Sequence, residues 1–155
     1  MPRMLIKVDK ALDWYVLDYP LHQGLQYLVR DLNHLYIGEP ALHQYDFQGQ
    51  GFEWIDCHDA AQSIISYIRK GNNEELILVV VNFTPIPRFD YRIGVPLACT
   101  YQEMINSDSA YYGGSNLGNL GAIQATAQPW MGRPYSITLT LPPLAVLIIK
   151  PGKQG

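Results

Sequence analysis

Leu21, Leu25, Leu28, Val29, Leu32, Leu35 and Tyr36 recur at intervals of three and four residues, and Arg30, Asp31, Asn33 and His34 fill the other side. That period predicts an amphipathic helix over residues 21–36. Asp18 and Pro20 suit its start, and Gly38 suits its stop with Pro40 just beyond. An isolated helix of this length is marginal in water, so its stripe needs another surface.

From Phe52 onward the period changes to that of strands. Residues 52–55 and 63–69 read as strands, and Gly71-Asn72-Asn73 as a turn after the second. Residues 76–81 form an unbroken apolar run, as in a strand buried on both faces. Residues 100–105 are a further short candidate. Tyr135, Ile137, Leu139 and Leu141 alternate with Ser136, Thr138 and Thr140, a period of two. Residues 144–149 follow Pro142-Pro143 as a last strand. Short strands split by Gly, Pro and Asn turns predict an antiparallel β-sandwich, preceded here by the single helix. The expected division is residues 1–44, a helical segment, then 45–150, an all-β domain, then 151–155, a tail.

Between strands lies Tyr111-Tyr112-Gly113-Gly114-Ser115-Asn116-Leu117-Gly118-Asn119-Leu120-Gly121, with four glycines in nine residues. So dense a run is a long shaped loop. It is not a phosphate cradle. A P-loop needs a lysine after its second glycine, and no lysine lies between Lys70 and Lys150. The Gly-x-Gly-x-x-Gly spacing of a dinucleotide turn is missing too.

Composition narrows the partners. The chain has 155 residues, 48% apolar and only 16% charged, which fits a packed core that buries further surface against a larger body. A net charge of −3 offers no basic footprint, so nucleic acid is not an expected partner. The run at residues 76–81 is far too short to span a membrane. Met1-Pro2-Arg3-Met4-Leu5-Ile6-Lys7 leads into no apolar stretch, so no secretory signal is read there. Cys57 and Cys99 are too few and too separated for a disulfide framework, and reduced thiols in the cytoplasm are expected. Asn82-Phe83-Thr84 is a formal glycosylation triplet, but it closes an apolar strand.

Candidate chemistry is sparse. Asp56-Cys57-His58-Asp59 gathers ligand types, yet neighbours on a strand point to opposite faces, so the segment reads as a polar turn and no metal site is expected. Glycoside chemistry needs paired carboxylates. Asp9 with Asp13, and Glu74 with Glu75, read as solvated surface. His22, His34, His43 and His58 accompany no Ser or Cys nucleophile motif, and His22 is a packing or capping residue. Aromatic side chains suit sugar, because a pyranose has a flat apolar face and a rim of hydroxyls. Tyr111, Tyr112 and Trp130, beside Ser115, Asn116 and Asn119, are the candidates. The competing reading is that these rings hold the glycine loop against the sandwich. Trp54 is expected in the core or in a seam with Trp14.

An ordered set of segments resembles the C-terminal region of bacterial 1,4-α-glucan (glycogen) branching enzymes of the α-amylase superfamily. The segments are Leu12-Asp13-Trp14, His22-Gln23-Gly24, Leu28-Val29-Arg30-Asp31-Leu32-Asn33, Pro40-Ala41-Leu42 and Gly51-Phe52-Glu53-Trp54-Ile55-Asp56. Then come Val79-Val80-Val81-Asn82-Phe83-Thr84-Pro85, Tyr91-Arg92-Ile93-Gly94-Val95-Pro96, the glycine loop, Trp130-Met131-Gly132-Arg133-Pro134 and Leu141-Pro142-Pro143-Leu144-Ala145. The resemblance runs from about residue 11 to residue 149. It implies that residues 1–44 are the last helical segment of a (β/α)8 catalytic barrel. It also implies that the nucleophile Asp, general-acid Glu and second Asp all lie upstream of the matching part. No residue here inherits a catalytic role, and no cofactor or metal is implied. The complete family member moves α-1,4-glucan segments to α-1,6 branch points through a covalent glycosyl-enzyme. Implied partners are α-glucan (glycogen or amylose) and the missing barrel; the alternatives are a stand-alone α-glucan-binding module with Trp130 and Tyr112 as platforms, or an interaction domain that associates through the helix at residues 21–36. Arg3-Met4-Leu5-Ile6-Lys7-Val8 departs from the family pattern of a final barrel strand.

Overall fold

The computed structural model describes residues 11–152; Asp9 and the readings of residues 1–10 and 153–155 lie outside them. The long helix α1 spans Pro20–Gly38. Pro20 takes the first turn, where its missing N–H costs nothing. Tyr19, not Asp18, holds the N-cap position in extended backbone, without a side-chain cap. Gly38 is the final helical residue, and Glu39 closes the helix with its N–H on the Leu35 carbonyl.

Eight strands follow: β1 (Phe52–Asp56), β2 (Ile64–Lys70), β3 (Leu76–Asn82), β4 (Arg88–Val95), β5 (Thr100–Asn106), β6 (Ala122–Gln124), β7 (Tyr135–Leu141) and β8 (Ala145–Pro151). They form a six-stranded sheet in the order β1-β2-β3-β8-β5-β6 and a two-stranded sheet of β4 and β7, with every pairing antiparallel. The two sheets are stitched at one side by Thr126 and Ser136, which exchange both backbone hydrogen bonds at 2.9 and 3.1 Å. The sandwich matches the sequence pattern. Leu144 does not join β8, because its φ of 47° places it in the preceding turn.

The main core lies between the sheets, where Ile64, Ile68, Leu78, Val80, Leu147 and Ile149 meet Ile93, Val95, Ile137, Leu139 and Leu141. The other face of the large sheet is covered as well. Ile77, Val79, Ile105 and Ile148 are buried there beneath Ala41, with Leu28 and Leu35 of α1 packed against them. Strand β3 is therefore apolar on both sides because helix covers one face and the small sheet the other.

Buried Asn82 fixes the end of β3. Its amide donates to the carbonyls of Ile86 and Pro142, both at 2.9 Å, and its oxygen accepts from the Thr84 N–H and hydroxyl. A side chain so enclosed is closed to glycosylation, despite the formal triplet.

Candidate functional site

The glycine loop is shaped mainly from within. Asp108 accepts hydrogen bonds from the N–H groups of Ser115 and Leu117 at 3.0 and 3.1 Å. Asn116 adopts a left-handed φ of 64° and accepts from the Ala110 N–H at 3.2 Å. Asn119 clamps the loop to β7: its amide donates to the Thr140 carbonyl at 3.1 Å and its oxygen accepts from the Thr140 N–H at 2.8 Å. The same amide donates to Glu103 at 2.9 Å.

The two tyrosines dock this loop on α1. Tyr111 stacks on Tyr27 with ring centroids 5.2 Å apart and planes 15° from parallel, and its hydroxyl accepts from Arg30 at 2.8 Å. Tyr112 donates to Asp31 at 3.0 Å. Burial, then this carboxylate, pushes the Tyr112 hydroxyl up to about 12. Arg30 also donates to Asp31, which is the largest reason that the carboxyl lies below its ordinary range. Gly24 sits directly against the Tyr112 carbonyl, with which a Cβ would collide. The competing reading of these rings therefore describes their packing, with one change: they hold the loop to the helix rather than to the sandwich.

Tyr111, Tyr112, Asn116 and Asn119 line one open pocket of about 520 Å³. Trp130 is not among them. It lines a separate cleft of about 730 Å³ beside β4. Trp130 and Arg133 pair across a two-residue turn whose central residues, Met131 and Gly132, have φ of 47° and 73°. That is the left-handed geometry of a tight hairpin turn. Gly94 lies so close beneath the Trp130 carbonyl that a Cβ there would overlap it. Tyr111, Tyr112, Asn116 and Asn119 thus lie apart from Trp130, and Ser115 lines neither cavity.

Trp54 corrects the sequence reading. It is 47% exposed and so is not in the core, and its ring meets Phe52 and Tyr67, at 4.8 and 6.0 Å between centroids, rather than Trp14. Alternation on β1 puts Phe52 and Trp54 on one face, and the register sets Tyr67 opposite Trp54. The result is a three-ring platform on the outer face of the large sheet. The spacing of Phe52 and Trp54 was visible in sequence, but Tyr67 joins them only through the β1–β2 register.

Asp56 ends β1, residues 57–59 are irregular, and the turn follows at residues 60–63. The Cys57 sulfur lies 3.8 Å from His58 Nδ1, and Asp56 accepts from the His58 N–H at 2.9 Å. Asp59 turns away to accept from Gln62 and from the Tyr91 hydroxyl at 2.8 Å. Among the described residues no group of three His, Cys, Asp or Glu side chains could hold a metal. Among the same residues no helix is long and apolar enough to cross a membrane.

Helix α1 uses only one flank of its stripe. Leu28 and Leu35 face the sheet. Leu21, Leu25, Val29 and Tyr36 remain 71, 59, 50 and 47% exposed, with Leu32 at 37% between them. Five apolar side chains thus line a continuous uncovered strip.

Residues 54–152 match the family described as "Alpha amylase, C-terminal all-beta domain". The chain is 57% identical over 142 residues to the 1,4-alpha-glucan branching enzyme GlgB of Nitrosococcus oceani, covering 92% of this chain and 19% of that protein. It is 58% identical over 140 residues to GlgB of Nitrosospira multiformis, covering 90% and 19%. To GlgB of Aquifex aeolicus it is 52% identical over 143 residues, covering 92% and 23%. The chain spans about a fifth of the length of the curated relatives it matches.

Proposed function

The chain belongs to the alpha-amylase C-terminal all-beta domain family, and from that premise we propose that it is the C-terminal portion of a cytoplasmic 1,4-α-glucan branching enzyme, inert alone and completed by a catalytic barrel. Residues 1–44 are then the last helical segment of that barrel, and residues 45–150 the all-β domain beside it. The whole enzyme moves α-1,4-glucan segments to α-1,6 branch points on glycogen or amylose.

The observation that carries this reading is the uncovered strip of α1. A helix docked on a sheet by Leu28 and Leu35 still turns Leu21, Leu25, Val29, Leu32 and Tyr36 to water. Apolar strips of that kind are covered in the working protein.

Incubating amylose with the purified chain tests the proposal. No new α-1,6 linkage is expected, and reproducible turnover would refute it. The complementary barrel portion of the N. oceani relative should bind the chain, and Leu25→Asp should weaken that binding. Self-association instead would appear as a dimer in sedimentation that Leu25→Asp dissociates.

A second reading is favoured by the exposed rings of Phe52 and Trp54, backed by the partly buried Tyr67: the chain also contacts α-glucan directly. Tyr111 and Tyr112 serve this poorly, since Tyr27 covers one face of Tyr111 and α1 engages both hydroxyls. Maltoheptaose should bind the chain, and Trp54→Ala should weaken it. No binding at millimolar sugar would end this reading.

A further inference from the structure

We propose that the cleft between the Trp130 turn and strand β4 is a second, non-catalytic subsite for a neutral α-glucan segment, apart from the Trp54 platform. The inference rests on the reading that this chain contacts α-glucan. Two exposed rings line the cleft, Phe89 at 64% and Trp130 at 44%. Its volume of about 730 Å³ falls within the ~300–1,000 Å³ of small-ligand clefts.

The walls are shaped at a cost in backbone strain. The β4–β7 register shifts between Arg88 and Tyr91, and Asp90 inside that bulge has a φ of 55°. A bulge re-aims side chains, and left-handed backbone at a non-glycine residue gathers at working sites. Arg88 and Asp90 both line the cleft. The Arg88 Nε is buried and has no hydrogen-bond partner among the described residues. Such a donor is rare unless a ligand or water supplies the acceptor. The opposite wall is rigid, because the Trp130 turn is closed by two hydrogen bonds of 3.0 and 2.9 Å and seated on Gly94.

The chemistry selects a polyol. A pyranose face stacks on an indole while its vicinal hydroxyls pair with a carboxylate and a guanidinium. Arg88 and Arg92 are offset by Asp56 and Asp90, so an anionic ligand gains no net field. Asp59 is committed to Tyr91 and Gln62 and drops out of the set.

The test is a titration of the whole chain with maltoheptaose, followed by backbone-amide and indole NMR shifts. Shifts at the Trp130 indole and the Asp90 amide are expected. Trp130→Ala should weaken binding at these signals about tenfold, and Trp54→Ala should leave it unchanged. Trp130→Tyr keeps a flat ring and should retain most of the affinity, which separates lost stacking from lost folding. Shifts confined to Trp54 and Tyr67, with Trp130 silent, would overturn this subsite and leave the glucan reading standing. Silence at every signal at millimolar sugar would overturn both.

Discussion

Tyr112 donates its hydroxyl to Asp31 at 3.0 Å, while its backbone carbonyl rests against Gly24, two helical turns earlier on the same face of α1. One residue of the glycine loop thus reads the helix at two points, one polar and one steric. The steric point is the less forgiving. Gly24→Ala should cost about 1–3 kcal/mol, because the colliding atom is backbone and cannot swing aside. Urea unfolding measures the loss. Tyr112→Phe removes only the polar point and should shift the midpoint much less.

Asn82 is the polar residue on which the end of β3 depends. Asn82→Ala strands the Pro142 carbonyl and the Thr84 N–H, and leaves the Ile86 carbonyl with only the longer bond from the Thr84 hydroxyl. A loss of about 2–3 kcal/mol is expected, the scale of buried groups left unsatisfied. A thermal scan beside Thr84→Ala, which should cost less, checks the order.

Acid should loosen the chain in a defined direction. Asp31, Asp46 and Glu53 all sit below their ordinary values, held there mainly by Arg30, Arg69 and Lys70. For a lowered carboxyl the unfolded chain binds the proton first. Each group's stabilisation is therefore complete above about pH 4–4.5 and fades as pH falls through the folded-state value. The melting temperature should fall progressively on acidification below that point. Asp46→Asn should flatten the slope, and an unchanged slope would count against the Arg69 contact.

The two flanks of α1 should answer differently to substitution. Leu35 packs on the sheet, so Leu35→Ala should cost about 1–2 kcal/mol. Leu25 is 59% exposed, and Leu25→Ser should stay within about 0.5 kcal/mol. Equal losses in denaturant would mean that the exposed strip is covered in solution.

The long periodic segments were legible because burial and period agree in them. Strand β3 reads as doubly buried and is so, and β7 alternates as written. Strand β4 was not recognised as a strand: Phe89 and Asp90 are exposed, a bulge interrupts its register, and no period survives. Strand β6 is three residues long and carries too little pattern to read. The candidate site was half legible. Aromatic and amide types drew attention to the glycine loop and the Trp130 turn, but only tertiary contacts reveal that Tyr111 and Tyr112 are turned to α1 while Trp130 opens on another cleft. Trp54 misled because β1 is an edge strand on which Phe52 and Trp54 face out while Ile55 faces the core.

The order β1-β2-β3-β8-β5-β6 carries a consequence for biosynthesis. Strands made early flank a gap that only β8 fills, so β3 and β5 wait for the segment at residues 145–151 to leave the ribosome. Until then each presents a row of unpaired amides and carbonyls, the template on which chains aggregate. A polypeptide clipped before Ala145 would therefore be a hazard to its neighbours, and the cell would meet it as a target for chaperones and proteases.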